Sequence, residues 1–140
     1  MKLLILGPPS CTEERLIKEA VISFSLNPTE IVIGDDTDFY KTIGRIFPSA
    51  TFEKVKIDWK NIKRAGAVVK KGKYGEYNSK AGRHRDEDMV KIIKDHEGQV
   101  LIIEQNSETD SLKKLVEASG ITPMLFNVHK SENKEVLYRL

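Results

Sequence analysis

The chain predicts an α/β protein built on a doubly wound, mostly parallel five-stranded sheet with helices on both faces, and three observations predict it. Leu3-Leu4-Ile5-Leu6 and Val100-Leu101-Ile102-Ile103 are short apolar runs without polar alternation, the pattern of strands buried on both sides. Between the candidate strands lie stretches whose apolar residues recur three and four apart, as on a helix with one buried face. The first strands end in glycine-containing polar turns that lead straight into those helices.

Length and composition are compatible with this reading. At 140 residues the chain is one domain, 1–140, able to bury roughly two-thirds of the surface its unfolded form would expose. Hydrophobic content of 39% and charged content of 31% fit a globular protein and disfavour disorder. No apolar run approaches the ~20 residues that span a bilayer, and the first residues lack a secretory h-region, so no membrane contact and a cytoplasmic location are expected. The one cysteine, Cys11, precludes an internal disulfide and a cysteine zinc cluster, and reads as a small residue in a tight turn. A net charge of +2 does not by itself call for a nucleic-acid partner.

In order, the first strand closes at Gly7-Pro8-Pro9-Ser10, and residues 12–24 follow as a helix with Leu16, Ile17, Ala20, Val21 and Phe24 inward. A second strand, 30–33, ends at Gly34-Asp35-Asp36-Thr37-Asp38, and a helix carries Phe39, Ile43, Ile46 and Phe47 as far as Pro48. A half-exposed strand near an edge is expected over 51–57, ending at Asp58-Trp59. Residues 60–80 show no sustained periodicity. This lysine-rich insertion reads either as a solvated loop or as a lid pairing cations with Tyr74 and Tyr77.

Helical order resumes over 85–94 with Met89, Ile92 and Ile93 inward, and His84, between two arginines, reads as a surface residue. After the buried strand 99–103 come Glu104-Gln105-Asn106-Ser107-Glu108-Thr109-Asp110, a helix with Leu112, Leu115, Val116 and Ala118, and a fifth strand over 121–126. In the tail, 128–140, Val136-Leu137-Tyr138 reads as an added edge strand or a partner contact.

A wound sheet of this kind is Rossmann-like and places its site where the strands' carboxyl ends meet. Candidate ligand-binding residues are therefore Gly7, Pro8 and Ser10; Gly34, Asp35 and Thr37; and Gln105, Asn106, Ser107 and Thr109. Arg83, Arg85 and Asp86 can join them from the next helix, the arginines as bidentate phosphate contacts, and Trp59 can stack on a base. The plain alternatives are that Asp35, Asp36 and Asp38 cap the helix they precede and that Trp59 is a core aromatic. No turn is a Walker A loop or a full G-x-G-x-x-G, which disfavours triphosphate hydrolysis and dinucleotide redox chemistry. His96 and His129 have no metal-ligand spacing, so neither a metal nor a cofactor is expected.

The order Gly7 turn, Gly34-Asp35-Asp36-Thr37-Asp38, Asp58-Trp59, Ala81-Gly82-x-x-Arg85-Asp86-x-x-Met89 and Gln105-Asn106-Ser107-Glu108-Thr109 resembles the SLOG superfamily, in its small single-domain bacterial and phage branch. The resemblance covers residues 1–127 and implies a Rossmann-like fold, binding of a nucleotide or nucleotide-derived ligand, and a homo-oligomer. Asp35 stands where the pattern has a second glycine, and Glu104 to Glu108 replace a Pro-Gly-Gly-x-Gly turn, so room for a phosphate is lost and carboxylates are gained.

Three functions are weighed on this basis. The first is a sensor or sequestering module for a nucleotide-derived small molecule. The second, implied by the related LOG phosphoribohydrolases, is an N-glycosidase in which Asp36 or Glu108 stabilises the developing oxocarbenium charge. The weaker third is a single-stranded nucleic-acid binder or a ligand-free interaction protein.

Overall fold

A computed structural model describes residues 2–105 and 107–128 of the chain. Its elements are β1 (Lys2–Leu6), α1 (Glu14–Ser23), β2 (Glu30–Ile33), α2 (Asp38–Ile46), β3 (Thr51–Lys54), β4 (Val69–Gly72), β5 (Gly75–Asn78), α3 (Ala81–Asp95), β6 (Gln99–Glu104), α4 (Asp110–Ala118) and β7 (Met124–Asn127). Five strands form one parallel sheet in the order β3-β2-β1-β6-β7, so the Rossmann-like α/β reading holds.

Burial follows the apolar runs. Leu3, Leu4 and Ile5 of β1 and Leu101, Ile102 and Ile103 of β6 are fully buried because helices cover both faces. α1 packs against α2, and α3 against α4. Right-handed crossovers place those two pairs on opposite sides. Among the described residues, no helix is long and apolar enough to cross a membrane.

The edge strand β3 is shorter than expected, four residues, and mostly exposed. The tail strand expected around Val136 lies outside the described residues. The insertion departs most from the sequence reading, since residues 69–78 are a hairpin, with Lys73 and Tyr74 turning between the opposed Gly72 and Gly75. Gly75 adopts φ +103°, a conformation that glycine takes without penalty. α3 likewise begins four residues earlier than expected, at Ala81.

Gly98, the residue before β6, stands close against the backbone of β1. A Cβ there would lie 2.5 Å from the Lys2 carbonyl oxygen, which is main chain and cannot swing aside. Gly98→Ala is expected to cost about 1–3 kcal/mol by overpacking, read as a lower urea midpoint at unchanged m-value. An unchanged midpoint would mean that the β1–β6 start is slack.

Candidate functional site

The turns after β1 and β2 are built into each other. Cys11 N–H donates to the Pro8 carbonyl at 3.0 Å, and Phe39 N–H donates to the Pro9 carbonyl at 3.2 Å, which ties the start of α2 to the first turn. Gly7 is required there, since a Cβ would stand 2.7 Å from the Phe39 ring. Ser10 is exposed and Pro8 buried. Thr37 is the cap of α2, its Oγ1 accepting from Tyr40 N–H at 3.3 Å. Asp35, Asp36 and Asp38 are exposed. Burial pushes the Cys11 thiol above its ordinary pKa, the opposite of an activated nucleophile.

Arg85 is the centre of a charged cluster at the ends of β2 and β3. Only 6% exposed, it donates from Nη1 to Asp36 Oδ1 at 2.7 Å and from Nε to Asp86 Oδ1 at 3.0 Å. Its Nη1 also lies 3.5 Å from the Val55 carbonyl, and its guanidinium carbon stands 5.5 Å from the centre of the Tyr40 ring. Gly34 makes the room, because a Cβ would come within 2.4 Å of Nη1 and 2.7 Å of the Tyr40 ring.

Burial works against the charge on Arg85, but the hydrogen bonds it donates to Asp36 and Asp86 and the field around them outweigh it and raise its pKa, so it stays cationic. Burial likewise pushes the Asp86 carboxyl up, against the pull of Arg85, and raises the Tyr40 phenol, which stays protonated. Two carboxylates thus engage the one guanidinium. A phosphate would have to displace Asp36 to be held bidentately, whereas a ligand hydroxyl could donate to the exposed carboxylate.

The turn after β6 holds the remaining expected residues. Gln105 is half-buried, Ser107 and Glu108 are exposed in a 3-10 turn, and Asn106 lies outside the described residues. Thr109 occupies the position before α4 but makes no capping bond. It is 1% exposed, and its Oγ1 is buried without a hydrogen-bond partner among the described residues. Arg83 is partly exposed, its Nη1 3.5 Å from the Ser111 carbonyl in the first turn of α4 and its Nε 3.7 Å from Glu87. Because β1 and β6 are neighbours whose connections leave in opposite directions, the Gly7 turn and Thr109 flank the switch point of the sheet.

Trp59 belongs to neither group. It is 47% exposed, so it is not the core aromatic the sequence left open, and it packs edge-to-face on Tyr77 of the hairpin, 6.4 Å between ring centres.

His84 corrects the surface reading given to it, being 7% exposed with Nδ1 3.0 Å from Asn78 Nδ2. Asn78 Oδ1 accepts from Val68 N–H at 3.2 Å and Lys80 N–H at 3.0 Å, so its amide nitrogen donates to His84 and the ring proton sits on Nε2. Beside this pair a cavity of about 30 Å³, lined in part by Asp58, Arg64 and Asp88, has room for a water or two. Arg64 closes it with two 2.9 Å bonds to Asp88. Sequence reasoning missed Tyr40 and Asn78, for which only their positions beside a glycine turn or a helix start gave a signal.

Among the described residues no group of three His, Cys, Asp or Glu side chains could hold a metal ion. Comparison of the chain with protein-family models, with curated proteins and with solved structures finds no match.

Proposed function

We propose that the protein binds a nucleotide-derived small molecule at the carboxyl ends of β1, β2 and β6, as a cytoplasmic sensor or sequestering module. The observation that carries this reading is the Thr109 hydroxyl, buried at the start of α4 and without a partner among the described residues. A buried hydroxyl without a partner costs about 1–3 kcal/mol, and such a group calls for an explanation, here a ligand oxygen. The side chain of Arg83, which reaches the Ser111 carbonyl in the first turn of α4, would add a cationic donor for one anionic or strongly polar group.

Asp35 and Asp36 stand at the end of β2, where Rossmann-like folds hold ribose hydroxyls on a carboxylate. The order of turns that resembles the SLOG superfamily supports the same reading, and self-association belongs with it. N-glycosidic cleavage has less support, because Asp36 is committed to Arg85 at 2.7 Å.

Thr109→Val tests this with two effects of opposite sign. Removing the orphaned hydroxyl is expected to stabilise the ligand-free protein by about 1 kcal/mol while weakening the ligand. A thermal-shift series with AMP, ADP-ribose and NAD should raise the wild-type Tm, by an amount equivalent to about 2.7 kcal/mol at a hundredfold excess over Kd. Most of that shift should vanish in Thr109→Val. Chromatography of the mixtures reads any released base, which would move the assignment to the glycosidase. A series without any shift, or a shift that Thr109→Val preserves, would end the proposal.

A further inference from the structure

The hairpin carries a second surface, remote in sequence from the turns just described. Trp59, Tyr74 and Tyr77, with Lys60 and Lys73, line an open cleft of about 580 Å³ whose floor is the Gly72–Gly75 pair. Those two glycines face each other across the hairpin, so no side chain fills the slot beside the Tyr77 ring. Trp59 and Tyr74 are 47% and 83% exposed, large rings left in water.

Register puts Lys70 opposite Tyr77, on the face that meets Trp59, and Lys71 opposite Glu76. Lys60 Nζ donates to the Tyr74 carbonyl at 3.3 Å, and Lys73 Nζ lies 5.7 Å from the Tyr74 ring centre. Between residues 60 and 80 the chain holds six lysines and one arginine against a single acid, Glu76.

From these features we propose that the hairpin binds single-stranded nucleic acid, with bases stacked on Trp59, Tyr77 and Tyr74 and the backbone phosphates tracked by Lys60, Lys70 and Lys73. Rings with exposed faces accept any base, and the lysines supply the sequence-independent charge that a single strand requires. The six lysines of residues 60–80 carry more charge than one mononucleotide would neutralise, and this selects a strand as the occupant. A duplex keeps its bases stacked on one another and offers the rings nothing.

Trp59 is the chain's only tryptophan, so its fluorescence reports directly on stacking. A ten-nucleotide oligo-U and a ten-nucleotide oligo-dT are expected to quench it and to raise the anisotropy of a labelled strand, while a duplex of equal charge leaves the emission unchanged. Tyr77→Ala should weaken binding roughly tenfold or more, since one stacked base contributes about 1–3 kcal/mol. Trp59→Ala should weaken binding likewise and Trp59→Phe should restore part of that loss, both read by anisotropy. Lys70→Ala with Lys73→Ala should flatten the dependence of log affinity on log salt by about 0.7 for each phosphate that is no longer neutralised.

Equal binding of the duplex or of heparin without quenching would reduce the surface to a general polyanion patch and overturn the proposal. So would a blue shift of Trp59 on anionic phosphatidylserine vesicles together with silence toward the strands, which would make the hairpin a membrane contact. Because the expected partner and the probed residues differ from those at the switch point, either result leaves the small-molecule reading where it stands.

Discussion

Arg85→Ala is expected to lower the unfolding free energy by about 2–4 kcal/mol, measured by urea denaturation at pH 7. Removing one member of a buried ion pair usually costs about 3–5 kcal/mol, because the remaining charge is left buried and unpaired. The expected value is lower here, since the Asp36 side chain is 34% exposed and recovers some hydration. Arg85→Lys should recover only part of the loss, as an ammonium cannot reach both carboxylates in the fork geometry that Nε and Nη1 provide.

The variant should also show a characteristic pH response. Burial already raises the Asp86 carboxyl, and removing Arg85 removes the main opposing influence, so that pKa rises further. A carboxyl whose folded pKa lies above its unfolded value binds more protons folded than unfolded across the interval between them. Stability then falls as pH rises through that interval. Arg85→Ala should therefore lose less, relative to wild type, at pH 4.5 than at pH 7, each pH chosen as about the lower and upper side of carboxyl titration. Equal losses at both would show that packing against Tyr40, and not the carboxylates, was what Arg85 supplied.

Asn78→Ala is the second large effect, expected at about 2–4 kcal/mol. One side chain satisfies Val68 N–H, Lys80 N–H and His84 Nδ1 while 1% exposed, and truncation leaves those groups to find other partners. The main-chain bonds from Asn78 N–H to the Trp59 carbonyl at 2.7 Å and from Ser79 N–H to the Val68 carbonyl at 2.8 Å survive, so the loss reports on the side chain alone. A two-stranded hairpin with four-residue strands is marginal unless anchored. Its amides should exchange faster and trypsin should cut sooner after Lys70, Lys71 and Lys73, with the exchange of β1 and β6 changing only through global stability. Unaltered hairpin exchange would place the anchor elsewhere.

How much the sequence revealed differs by element for physical reasons. Strands β1, β2 and β6 were legible because a strand covered on both faces must be apolar at every position, and the parallel order followed from helices lying between them. The hairpin was not legible, because VKKG and GEYN carry no apolar face and are held by Asn78 from outside their own pattern. The pairing of Asp36 with Arg85 joined two residues from the expected set, yet Gly34 reads in sequence as a turn glycine when its role is to admit a guanidinium. His84 was misread because flanking arginines suggest solvent, whereas Arg85 itself is buried beside it on α3. The missing bond on Thr109 is a three-dimensional fact that no spacing encodes.

The pairing of β1 with β6 has a consequence for how the chain is made. Once β3 has left the ribosome, β1, β2 and β3 can zip together, but the other hydrogen-bonding side of β1 must wait for about 50 further residues before β6 emerges. At translation rates of roughly 5–20 residues per second that is about 3–10 s during which the most apolar strand presents an open rim, the interval in which a nascent-chain chaperone has the most to shield.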